Sequence, residues 1–357
     1  MSSLDEQREM RRTVAEFLDR QADPARLRTL PPPADGFDGE LWRRAVVELG
    51  VGALVVPESA GGLGLTFADG ALVLTEFSRR LVPGPLLDTM VATAFLSQVD
   101  TPSGAALLRR TALEGLSFAI ATEEVAGAVG TGRVTETGAW QLSGRKRSVV
   151  HGAEVDVLLV TARVDGVPAV FAVDGAAPGV SRIPRAGLDH TRRYAEVVLD
   201  GAPADLVDGP GPGRLLDLMW VALAVDSVAA ARQCLEQTVA YLKVRQQFGR
   251  PIGSFQAIKH RCADMAVTLA GAEATAQYAV QAAQGGGEEL SVVAPLAKSV
   301  CADAFMVVAA EAVQLHGGIG FTFEHEAHLY LKHAKANQQL HGSGAQLRRE
   351  VGRLAGI

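Results

Sequence analysis

Cysteine is scarce in this 357-residue chain: Cys234, Cys262 and Cys301 stand alone and far apart. So few and so scattered, they exclude a disulfide framework and a clustered thiolate metal site, and they fit a reducing compartment. A block of one charge sign is absent as well. Thirty-four basic and 40 acidic residues leave a net charge of −6, without the Lys/Arg cluster that nucleic acid or an anionic membrane surface calls for. Long apolar runs are also wanting. The most apolar stretch reads as Leu218–Ala231, which is broken by Asp226 and is shorter than the roughly 20 residues that cross a bilayer. The N-terminus lacks the basic start and apolar segment of a secretory signal. The expectation is a cytoplasmic protein with neither nucleic acid nor membrane as a partner.

Several catalytic signatures are missing. Gly62-Leu63-Gly64 and Gly130-Thr131-Gly132 lack the third glycine of a dinucleotide fingerprint, which removes the main support for a Rossmann site. His325-Glu326-Ala327-His328 is one residue short of the zinc-protease pattern, and only histidines four apart share the required helix face. No metal site is expected. Ser143 and Ser343 are not set in a Gly-x-Ser-x-Gly elbow, so nucleophilic hydrolysis has no sequence support.

What remains is an ordinary globular balance, 48% hydrophobic and 21% charged, enough apolar surface to fold and enough length for two or three domains. Apolar residues recur at helical spacing in Leu4–Leu18, Leu41–Leu49 and Ala71–Leu81. The proline-rich stretch Arg26–Asp38 breaks the chain between the first two, and Val56–Gly64 must be a loop. From residue 116 the pattern changes to short Val/Ile/Thr-rich runs, Ser117–Thr122, Trp140–Leu142, Val155–Thr161, Ala169–Val173 and Ala195–Leu199. No helix of normal length need lie between them, so an antiparallel sheet or barrel is expected. After Gly209-Pro210-Gly211-Pro212-Gly213 come four long helical stretches, Leu215–Arg245, Ser254–Gln284, Glu289–Leu315 and Glu324–Leu340. The predicted class is α+β, mostly α. A helical domain over 1–115, a β domain over 116–208 and a four-helix bundle over 209–357 make it up.

Two segments ask for more than packing. Arg245–Gln256 joins two bundle helices and offers an Arg, whose fixed charge suits a diphosphate, and Phe248, a plate for a heterocycle; the same Arg would also serve simply as a helix cap. Gln314-Leu315-His316-Gly317-Gly318-Ile319-Gly320 combines three glycines that let backbone approach a ligand or end a helix.

Together with the Val-Pro-Glu-x-x-Gly-Gly-Leu-Gly loop at Val56–Gly64, these segments make the chain resemble the acyl-CoA dehydrogenase family over nearly its full length. The resemblance implies the helix, sheet, bundle order, a homo- or heteromeric assembly and FAD as cofactor. It implies an acyl-CoA substrate and an electron-transfer flavoprotein as acceptor. It places Arg245, Phe248 and Gln256, with Gln314, Gly317 and Gly318, on the diphosphate and adenosine of a neighbouring subunit's FAD, and Thr122 and Ser343 on the flavin side. The family reaction removes an α-proton to a carboxylate and a β-hydride to flavin.

Here the sequence departs from the pattern. His341 stands at the usual Glu position, and the alternative position on the first bundle helix falls at Met219-Trp220. Thr122-Glu123-Glu124 also lacks the usual Thr-Glu-Pro wording. Three explanations stay open. In the first, His341 serves as base; in the second, the chain is the base-less subunit of a two-gene enzyme; in the third, a carboxylate elsewhere, Asp226 or Glu123, takes over. A scaffold of the same fold with no activity is a further alternative.

Overall fold

The computed structural model describes residues 4–21, 38–124, 130–135, 138–285, 287 and 289–356. Apart from Asp38, the expected break at Arg26–Asp38 lies outside the described residues. Among the described residues, five helices make the N-terminal part: α1 (Leu4–Gln21), α2 (Gly39–Leu49), α3 (Phe67–Arg79), α4 (Leu86–Leu96) and α5 (Pro102–Glu114). Their starts carry the local chemistry of N-caps. Asp38 accepts the Leu41 N–H at 3.0 Å, Thr66 and Asp69 form a capping box, and Thr101 accepts from Gly104. The Val56–Gly64 loop holds one 3₁₀ turn, Glu58–Ala60. A Cβ added at Gly62 would lie 2.2 Å from the Val56 carbonyl oxygen, so only glycine fits there.

Seven strands follow: β1 (Phe118–Ala121), β2 (Thr131–Val134), β3 (Trp140–Val150), β4 (Val157–Val164), β5 (Val167–Asp174), β6 (Val180–Arg185) and β7 (Tyr194–Val207). Strands β4, β2, β3, β7 and β5 pair in a ring, because β5 bonds both β7 and β4. Leu142, Leu158, Val160, Phe171 and Val197 fill its interior. The expected antiparallel pairing holds for β2–β3, β3–β7, β4–β5, β5–β7 and β6–β7. Strand β1 departs from it and runs parallel to β4, and β2 also meets β4 in parallel, at Thr131 and Arg163. With β2 and β3 intervening in the chain, no tight hairpin forces β1 and β4 into opposite directions. All four β1 residues are buried, as a strand covered on both faces requires.

Helix α6 (Gly211–Val244) starts inside the Gly-Pro repeat, with Pro212 in the first turn, where the missing N–H costs nothing. It is followed by α7 (Gln256–Gly285), α8 (Leu290–His316), α9 (Ala327–Gln339) and α10 (Gly344–Leu354). The last of these is a fifth helix that the sequence periodicity does not separate from α9. Helix α8 lies at the centre and packs on α6, α7, α9 and α10. By length and composition the stretch from Leu290 to Phe321 is apolar enough to cross a membrane, and it exceeds Leu218–Ala231 in that respect; two thirds of its most apolar 18 residues are buried.

Candidate active site and the far end of the bundle

The residues singled out in the sequence fall into two groups. The first lies where α6, α7 and α8 end or begin. Arg245 caps α6, and the chain then makes a small hairpin, β8 (Gln246–Gln247) and β9 (Arg250–Pro251), before α7 opens at Gln256. Tyr241, one turn before the end of α6, stacks on His316 at 4.6 Å and so brings Gln314–Gly318 beside the hairpin. Arg245, Phe248, Gln256, Gln314, Gly317 and Gly318 are all exposed. The Arg245 guanidinium makes no ion pair among the described residues. Phe248 is 90% exposed. Gly317 has φ +64, and no atom lies within 4 Å of a Cβ added at Gly317 or Gly318. Cationic charge, an open aromatic face and a bare stretch of backbone thus share one surface.

The second group surrounds His341. Its ring Nδ1 lies 3.0 Å from the Thr122 hydroxyl, its backbone N–H donates to Glu123 at 2.8 Å, and its carbonyl accepts the Trp220 indole N–H at 2.8 Å. The backbone is in the left-handed region, φ +52, followed by Gly342 at +111. Under the loop, the buried Lys298 ammonium donates to the Gly342 carbonyl. Ser343 is turned to its own helix: Gln346 accepts both its N–H and its hydroxyl at 2.8 Å. Burial, with the charges of Lys298 and Arg192, pushes the His341 imidazole down to about 4. It is neutral at physiological pH and a weak base.

Met219 and His341, the two positions at which the resemblance looks for a base, line one cavity between α3, α4 and α6. Its volume is about 50 Å³, enough for a few ordered waters. A buried ionic cluster closes its floor. His333 donates from Nδ1 to Asp189 (2.8 Å) and from Nε2 to Asp226 (2.9 Å). Arg192 donates to Asp226 (2.9 Å) and to Asn337, which itself donates to Asp226 at 2.7 Å. Burial opposes ionisation of Asp226, but the charges of His333 and Arg192 outweigh it and hold the carboxyl far below its usual range. Burial and Arg192 oppose the His333 charge, and the two aspartates outweigh them. With both ring nitrogens donating, His333 cannot serve Thr191, 3.0 Å away, as a base. Asp226 is likewise spent on three donors. Glu123 accepts from His341 and lies 3.6 Å from Arg147.

Sequence reasoning missed Asp88, a buried carboxyl on the same cavity. One oxygen accepts the Ile120 N–H at 2.9 Å while Thr89 accepts that of Phe118. The pair satisfies the open edge of β1, a demand visible only once β1 and α4 are in place. Burial raises the Asp88 carboxyl to about 7. The signal in the sequence was a lone Asp in the first turn of an otherwise apolar helix.

The two groups are far apart. Trp220, bonded to His341, and Arg245 stand 25 positions apart on α6, on the order of 37 Å at the rise of an α-helix.

Comparison with known proteins fits this arrangement. Residues 4–102 match the profile "Acyl-CoA dehydrogenase, N-terminal domain" and residues 214–355 match "Acyl-CoA dehydrogenase, C-terminal domain". Acyl-CoA dehydrogenase IpdE2 of Mycobacterium tuberculosis is 35% identical over 354 residues, 98% of this chain and 98% of its own. The chain belongs to the acyl-CoA dehydrogenase family. Among solved structures, a variant of the steroid ACAD Tcur3481-Tcur3483 superposes with a TM-score of 0.90 at 29% identity, covering 99% of this chain and 98% of the other. The ChsE4-ChsE5 complex from Mycobacterium tuberculosis gives 0.89 at 26% identity, with 100% and 99% covered. FAD is the cofactor of this family of flavoprotein oxidoreductases. The far end of the bundle offers groups of the kind its phosphate and adenosine half would need: Arg245, without an ion pair among the described residues, the open backbone at Gly317–Gly318 and the exposed Phe248 ring. The Thr122 hydroxyl, which the resemblance would put beside the flavin, is taken up by His341.

Proposed function

We propose that this chain is the base-less subunit of a heteromeric acyl-CoA dehydrogenase. In this reading a paralogous family chain carries the carboxylate base and the acyl pocket. This chain lends Arg245, Phe248, Gln256, Gln314, Gly317 and Gly318 to the phosphate and adenosine end of the partner's FAD. The bound FAD would supply the acceptor for the β-hydride of the acyl-CoA thioester while the partner's carboxylate takes the α-proton, so that the two losses together leave the 2-enoyl-CoA. Arg245 supplies a fixed positive charge beside the diphosphate. The glycine backbone admits the phosphates without a side chain in the way.

The single observation that carries the reading is the cavity of about 50 Å³ at His341 and Met219. Neither of these positions holds a carboxylate. The likeness to ChsE4-ChsE5 and to the steroid ACAD Tcur3481-Tcur3483 supports two further elements, an assembly of unlike chains and a bulky acyl group.

Purified alone, the chain is expected to hold little FAD and to show no flavin bleaching with acyl-CoAs under anaerobic conditions. Co-expressed with a family member that has the Glu, it is expected to join one assembly that retains FAD and bleaches. One FAD per chain with bleaching by this chain alone would overturn the proposal. His341→Ala, made in the assembly, is expected to leave the rate of flavin reduction within about twofold of the parent. A base lost from the reaction would instead cost roughly 10²–10⁴-fold.

A further inference from the structure

The β8–β9 hairpin is built against its own local preferences. Gln246 pairs with Pro251 and Gln247 with Arg250, leaving Phe248-Gly249 as a two-residue turn in which both φ angles are positive, +55 and +74. Such turns favour Asn-Gly, Asp-Gly or Gly-Gly, and a bulky residue at positive φ is strained. The aromatic side chain placed there is also 90% exposed. A residue unfavourable in both its backbone and its solvation has no part in the core.

Two further residues hold it in place. The Phe255 ring meets the Phe248 ring edge-on, with centroids 6.0 Å apart. The Arg250 guanidinium lies over the Phe255 ring at 4.0 Å from its centroid. Phe255 stands just before α7 and Arg250 on β9, so the stack ties the turn to the start of a long helix. Arg250 makes no ion pair among the described residues, and its charge stays on the ring.

We infer that Arg250 and Phe255 are positioning residues that hold Phe248 as a rigid plate for a purine ring carried by the partner's cofactor. The inference rests on the shared-site reading above and deepens it. A stacking plate fixed before binding loses less freedom when the ring arrives.

The test uses the assembly of this chain with its partner, stripped of flavin and titrated with FAD and with FMN, which lacks the adenosine half. Arg250→Gln and Phe255→Leu are each expected to weaken FAD about tenfold, the scale of one aromatic or cation–π contact, and to leave FMN affinity unchanged. Arg250→Lys, which keeps a cation over the ring, should restore most of the loss. Phe248→Asn, suited to the turn, should weaken FAD at least as much without lowering the Tm of the flavin-free assembly. A wild-type FAD-to-FMN ratio in Arg250→Gln would overturn the positioning role. So would equal losses for FAD and FMN, or a lower Tm in Phe248→Asn, since either marks a packing residue. If Arg245→Ala and Phe248→Asn both retain FAD, the shared-site reading itself falls. If they lose it while Arg250→Gln does not, only the positioning role falls.

Discussion

Arg245→Ala is expected to strip FAD from the assembly while leaving the fold intact. Arg245 ends α6 through its backbone N–H, and its side chain is exposed and has no carboxylate partner among the described residues. Removing it therefore breaks nothing within the chain beyond a helix-end interaction of about 0.3–1 kcal/mol. Losing one charged partner of a desolvated phosphate contact costs far more, roughly 2–5 kcal/mol, or on the order of 10²-fold in FAD affinity at the middle of that range. The ratio of flavin to protein after gel filtration, read beside the far-ultraviolet circular dichroism, checks both halves of the expectation. Full occupancy with unchanged dichroism would remove Arg245 from the cofactor site.

Asp226→Ala should have the largest effect on stability. The Asp226 carboxylate answers Arg192 from the β6–β7 segment and His333 and Asn337 from α9, while standing on α6 itself. Its loss leaves two buried cations with Asp189 as their one remaining carboxylate. Breaking a buried ion pair from one side costs about 3–5 kcal/mol, so the Tm should fall by several degrees. The midpoint in urea should move in step, with loss of acyl-CoA turnover only where the assembly dissociates. A Tm within one degree of the parent would show that the cluster contributes no net stability.

The pH dependence of the same cluster has a definite sign. Asp189 is held down to about 2 in the folded chain: burial opposes its ionisation, and the His333 charge and hydrogen bond with the Arg192 charge outweigh that cost. A depressed carboxyl contributes stability above its unfolded value near 4, and that contribution is lost as pH falls through the folded value. His333 is raised above 6.5, so its contribution is complete below the unfolded value and disappears as pH rises through the folded one. The stability difference between the parent and His333→Gln should be largest between about pH 4 and 6.5 and shrink on either side.

Internally bonded groups around His341 and an open far end give the two halves of this chain different chemical standing. Near His341, four hydrogen-bonding groups are answered from within: Thr122 by the imidazole, Glu123 by the backbone, Ser343 by Gln346 and Asp226 by the cluster. At the hairpin and the glycine turn, charge, ring and backbone face outward. A site whose groups are satisfied internally has little left to offer a ligand, whereas unsatisfied groups on an exposed surface keep their binding capacity.

Much of this was legible from local pattern. Apolar spacing located α1, α2, α3 and the four long bundle helices to within a few residues, because helical periodicity is a property of neighbouring side chains. Arg245, Phe248 and Gln314–Gly318 could be singled out because each segment carries its chemistry within a few consecutive residues. The missing base was equally plain, since His341 and Met219 are read one position at a time.

The tertiary structure decided the rest. The parallel register of β1 on β4 depends on which strand edge is free when the ring closes. Asp88 acquires its role from a strand edge 30 residues away, at Phe118 and Ile120. Asp189, Arg192, Asp226 and His333 are unremarkable apart and become an ionic cluster only when the β6–β7 segment meets α6 and α9. Sequence determined what each segment is, because secondary structure and short motifs follow from interactions over a few residues. Whether the space beneath His341 is open or shut depends on side chains brought together across more than 140 positions, and only packing fixes that.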